Sequence, residues 1–241
     1  FYWIKSLSPY KVAPFWALVF CLSSAGIVVY SATGLEPPLL ALLLTAGVWA
    51  TARHFFIVAS MCFALTALVR PEAILYSVLW GSFLICTRKT YKLNLLRLLG
   101  LGLITLLPFL FYLVYRYKTY ELWVPFTALA KPAGSFFYSW PETIFSYWGS
   151  GLIMPLFVLL LTGVCWWEYK PQDQQRLAVV KDPKSFQLAF ILILGALIFQ
   201  AYAGGDWMMF SRFFVPVTPL LAGCLAVLFT HYFLKAQFNF L

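Results

Sequence analysis

Charged side chains are rare in this chain, and several of those that interrupt its apolar stretches stand in short polar motifs able to handle protons and anions. Glu36 lies in Thr33-Gly34-Leu35-Glu36-Pro37-Pro38, and Arg70 and Glu72 flank a proline in Arg70-Pro71-Glu72. Asp206, Trp207 and Arg212 share one stretch, Gly204-Gly205-Asp206-Trp207-Met208-Met209-Phe210-Ser211-Arg212, in which two glycines permit a backbone turn that a side chain would block. Balanced carboxylates and cations of this kind are what a site for hydroxyls and phosphates needs. Lys131 closes Pro125-Phe126-Thr127-Ala128-Leu129-Ala130-Lys131 and offers an ammonium that holds phosphate as a point charge.

Each motif also has an ordinary reading. An acid and prolines are normal at a helix start, which accounts for Glu36 and for Pro71-Glu72. Asp206 and Arg212 could form a structural ion pair. Arg70 needs more, because an ionisable group inside an apolar run of about thirty residues is costly unless it is paired or bound. The segment 116–150 is rich in aromatic residues, among them Tyr120 and Trp123. It suits either a platform for sugar rings or an interfacial aromatic belt.

The elements that carry these motifs follow from composition. With 63% hydrophobic, 20% aromatic and only 10% charged residues, and a mean hydropathy of +0.85, the chain lies far outside the range of a soluble domain. It reads as an all-α, polytopic transmembrane bundle, a single domain over 1–241. Apolar stretches at 12–32, 38–50, 55–69, 72–86, 98–115, 151–167, 186–203 and 213–233 give about eight membrane helices. The second to fourth are shorter than the roughly 20 residues a full crossing prefers, so tilted or re-entrant pairs are alternatives there.

If all eight cross, the loop with Arg88, Lys89, Lys92 and Arg97 is cytoplasmic by the positive-inside rule. Twelve of the seventeen basic residues then fall inside, leaving Arg70, Arg116, Lys118, Lys131 and Arg212 outside. The same register turns Glu36, Glu72, Glu121, Glu142 and Asp206 outward, and it makes 116–150 the extended outer loop.

Other chemistries find little footing. The net charge of +9 is spread over loops between apolar segments, without the basic face and stacking platform of a nucleic-acid binder. The cysteines Cys21, Cys62, Cys86, Cys165 and Cys224 stand singly and read as small core hydrophobes. His54 and His231 are too few and too far from the carboxylates for a metal cluster or a histidine-based triad, and no phosphate-cradling nucleotide loop is present.

Taken in order, Gly34-Leu35-Glu36, Arg70-Pro71-Glu72, Pro125 to Lys131 and Gly204-Gly205-Asp206-Trp207 through Arg212 and Pro219 resemble bacterial GT-C glycosyltransferases. The branch in question contains the terminal arabinofuranosyltransferase of the mycobacterial cell wall. The resemblance implies an integral enzyme of the bacterial inner membrane. Such an enzyme takes a sugar from a polyprenyl-phosphate donor and adds it to a glycan, lipid or protein acceptor on the extracytoplasmic face. On that reading Asp206, Glu36 and Glu72 are the catalytic or acceptor-side carboxylates. Arg212, Arg70 and Lys131 face the donor phosphate, and Trp207, Trp123 and Tyr120 contact sugar or lipid. No cofactor beyond the donor is implied, and a divalent metal requirement is left open. The family places its principal acid in the first outer loop, whereas nothing before Glu36 is acidic here and the chain opens on Phe1 without a leader, so a missing N-terminal portion is expected. From another class, a membrane transporter or lipid flippase would instead line a path near the bilayer midplane with its charges.

Overall fold

A computed structural model of the chain describes residues 2–34, 36–123, 180–202 and 214–238. Regular structure among them is entirely helical: α1 (Tyr2–Leu7), α2 (Ala13–Leu22), α3 (Ala25–Ala32), α4 (Pro37–Ala52), α5 (Phe56–Val69), a 3-10 turn (Pro71–Ala73), α6 (Ile74–Cys86), α7 (Leu95–Tyr120), α8 (Pro183–Tyr202), a second 3-10 turn (Val215–Val217) and α9 (Thr218–Phe238). Prolines open α4, α8 and the first 3-10 turn, where their fixed φ suits a first turn and their missing N–H costs nothing. The expected segment 151–167 lies outside the described residues.

Two expected boundaries are corrected. The stretch 12–32 is not one helix: α2 and the body of α3 are bent by 68° at Ser23 and Ser24. Ser23 Oγ donates to the Phe20 carbonyl (2.9 Å) and Ser24 takes extended backbone, the competition by which paired serines interrupt a helix. The segment placed at 98–115 runs from Leu95 to Tyr120, so 116–120 belongs to helix and not to the outer loop. Asn94 supplies its N-cap, its side-chain oxygen accepting from the Arg97 N–H at 2.8 Å.

The core is organised by close approach of α4, α5 and α6. Phe63 of α5 stacks on Trp80 of α6 at 5.1 Å, and Trp80 Nε1 donates to Thr51 Oγ1 of α4 at 2.9 Å. Ser77 Oγ donates to the Phe63 carbonyl at 2.8 Å. Small residues and interhelical hydroxyl bonds are the means by which apolar helices pack when all their faces are greasy. Gly47 makes this possible: a Cβ there would stand 2.8 Å from Phe63 Cε2. Because Phe63 is fully buried and pinned by Trp80, the ring has nowhere to go. We expect Gly47→Val to destabilise the fold by ~1–3 kcal/mol through overpacking. Gly81→Val on α6, where a Cβ meets nothing within 4 Å, is the matched control in a thermal unfolding series.

Cys224 is buried, as a small core residue should be, whereas Cys21 and Cys62 are half-buried and Cys86 is exposed at the end of α6, which corrects the reading of these three as core residues.

By length and composition α7 is able to cross a membrane, and the bent α2–α3 pair gives a second crossing if its halves form one broken span. Only 11% of the apolar window of α7 is buried, and Leu96, Leu103 and Phe111 on it are each more than 60% exposed. A soluble protein would hide such a helix in its core; this one turns an apolar surface outward.

Candidate functional site

Pro71 disfavours helix for the residue before it, so α5 stops at Val69 and Arg70 takes extended backbone at φ −142°, ψ 122°. Its N–H still reaches the Thr66 carbonyl (3.1 Å), and its own carbonyl accepts from Ala73 N–H (2.9 Å). The side chain leaves this joint only 8% exposed and meets two carboxylates. Nη2 is 2.6 Å from Glu72 Oε1, two residues on, and Nε is 3.7 Å from Glu36 Oε1 at the start of α4. A guanidinium is tolerated at such burial because two carboxylates meet its charge, one of them in hydrogen-bond contact.

Glu36 occupies the N-cap position of α4 yet makes no capping hydrogen bond. Pro38 at the second helical position has no N–H to offer, and Glu36 itself takes helical backbone (φ −60°, ψ −24°) where a capping residue is extended. The carboxylate is therefore available to Arg70.

Arg70, Glu72 and Tyr76 form the polar side of a small open cleft of about 20 Å³, room for about one water molecule, whose apolar side is made by Leu40, Leu75, Phe199 and Pro216. Tyr76 was not among the expected residues. Its position four after Glu72 puts both on one helical face, a signal that spacing could have supplied. Phe199 near the end of α8 and Pro216 in the second 3-10 turn both line the cleft.

Of the other expected site residues, Asp206, Trp207, Arg212 and Lys131 lie outside the described residues. Tyr120 and Trp123 are described and do not line the cleft. Trp123 stacks on Tyr117 (4.4 Å, 16°), and the Arg116 guanidinium lies 5.6 Å from the Tyr120 ring centroid.

Comparison with known protein families, with curated proteins and with solved structures finds no match. The chemistry must be read from the site itself. Among the described residues one guanidinium against two carboxylates leaves the cluster net negative, which favours hydroxyls over a lone phosphate. A phosphate would need a further cation, and Lys131 and Arg212 are the chain's candidates. Among the described residues no group of three or more His, Cys, Asp or Glu side chains is placed to hold a metal ion.

The opposite end of the bundle is aromatic and basic. Tyr91, in the turn after α6, packs against His54 (5.3 Å), Phe56 (5.4 Å) and Phe83 (6.2 Å), and its buried hydroxyl has no hydrogen-bond partner among the described residues. Burial, and secondarily the Asp182 carboxylate, push its phenol up to about 12. An unfolded tyrosine ionises near 10, so the stability owed to the neutral phenol is complete below about pH 10 and is lost as pH rises toward 12. Tyr91→Phe, which removes a buried hydroxyl without a partner among the described residues, should be at least as stable as the parent at neutral pH, with its advantage growing between about pH 10 and 12, as measured by paired thermal scans.

Proposed function

We propose that this chain is a multi-pass glycosyltransferase of the bacterial inner membrane. It transfers a sugar from a polyprenyl-phosphate donor to a glycan, lipid or protein acceptor at its extracytoplasmic face, with the cleft beside Arg70 as the acceptor side. The observation that carries the reading is the convergence of Glu36 and Glu72, from separate motifs, on one buried arginine at an open cleft. The outward apolar surface of α7 supports a bilayer setting. On this reading a carboxylate takes the acceptor hydroxyl's proton as the oxygen bonds to the anomeric carbon, and the carbon–phosphate-oxygen bond breaks to release the polyprenyl phosphate.

The test is reconstitution of the full chain into liposomes with a radiolabelled polyprenyl-phosphate sugar and an acceptor. Label passing into the acceptor supports the proposal. Label crossing the bilayer while still on its carrier would establish the flippase reading in its place.

A further inference from the structure

The end of the bundle remote from the Arg70 cluster carries a second surface. Two backbone turns meet there. The chain after α4 closes with Phe55 N–H on the Ala50 carbonyl (2.8 Å) and His54 in left-handed backbone at φ 60°. After α6 the same device recurs, with Leu93 N–H on the Arg88 carbonyl (2.9 Å) and Lys92 at φ 53°. The contact of His54 with Tyr91 and the placement of Arg97 5.8 Å from the Phe56 ring hold the turns side by side.

Their neighbourhood brings Arg53, Arg88, Lys89, Lys92 and Arg97 together, all exposed, and neither 53–55 nor 87–97 contains an acid. Among the described residues Asp182, just before α8, is the acid facing this region, and its Oδ1 accepts from the N–H groups of Lys184 and Ser185. Beside these cations Ile85, Leu95, Leu96 and Leu99 are 57–78% exposed. Cations next to bare aliphatic side chains match a molecule with an anionic head and an apolar body.

The geometry points to a binding surface for anionic phospholipid, with Arg88, Lys89, Lys92 and Arg97 on the headgroup phosphate and Leu95, Leu96 and Leu99 against the acyl chains. A soluble phosphate would use the cations but leave the leucines bare. This surface is independent of the transfer reaction and shares with it only the bilayer setting.

The test is native mass spectrometry of the full chain in detergent, titrated with phosphatidylglycerol and with phosphatidylcholine. Phosphatidylglycerol should be retained about tenfold or more in preference, given that each basic residue near an anionic surface contributes measurably. The preference should vanish in the Arg88→Gln, Lys89→Gln, Lys92→Gln, Arg97→Gln variant. Should that variant fail to fold, the unmodified chain decides: its preference must weaken as salt rises. Equal retention of the two lipids, a preference that survives neutralisation or is indifferent to salt, or displacement of phosphatidylglycerol by equimolar inorganic phosphate would each overturn the inference.

Discussion

Arg70→Met should unfold well below the parent protein, losing ~2–4 kcal/mol, because it strips the one cation from between two carboxylates. The figure sits below the full cost of breaking a deeply buried pair, since the Glu36 and Glu72 side chains are still about a third exposed and water recovers part of the loss. The cause is orphaned charge and not lost volume, methionine being shorter but of similar volume. Two further variants separate the causes. Adding Glu36→Gln and Glu72→Gln to Arg70→Met should restore most of the lost stability, as replacing a whole buried ion cluster by neutral groups commonly does. Arg70→Lys should fall in between, because one ammonium cannot serve both the Nε and the Nη2 contacts. Thermal unfolding of the four proteins in one detergent decides it. An Arg70→Met midpoint equal to the parent's would show that the ion cluster contributes nothing to the fold.

How much of this was legible in the sequence depends on the range of the interaction. Proline punctuation and apolar length locate α4, α5 and α6 because those signals are local, and each of these helices begins or ends at a residue whose backbone cannot do otherwise. The break at Ser23 and Ser24 escaped a hydropathy reading, since two serines barely lower the average of a long apolar window. The helix carried on through Arg116 and Lys118 because long basic side chains are good helix formers and can extend along an apolar surface while their charge reaches water. Alternating apolar stretches put Glu36 and Arg70 at the same outer end, but their approach to within ion-pair distance was not legible. It depends on α4 and α5 folding back as an antiparallel hairpin through a three-residue turn, and nothing in the spacing of the two residues encodes that. The motifs could be marked one by one as chemically able; only the packing places two of them on one cation.

Glu36→Gln should abolish most transfer activity while leaving the unfolding midpoint near the parent's, and the two carboxylates should differ in this respect. Glu72 lies 2.6 Å from Arg70 Nη2, a full charge-assisted contact that holds the buried guanidinium in place. Glu36 lies 3.7 Å from Nε, beyond ordinary hydrogen-bond range, and its helix offers it no cap. Of the two it is the less committed, and so the better placed to accept a proton from an incoming hydroxyl. Under the proposed reaction a general base contributes a factor of about 10²–10⁴, so the amide should lower kcat by that much, ~3–5 kcal/mol of barrier, with little change in donor KM. Glu72→Gln should show the reverse balance: a midpoint lowered by ~1–2 kcal/mol of stability from the lost charge on Arg70, and a smaller fall in kcat. The decisive comparison is kcat and unfolding midpoint measured on the same preparations of both variants. If Glu36→Gln keeps more than half of parental kcat, Glu36 is not the base. The proton must then go to another carboxylate, and Asp206 is the next to substitute.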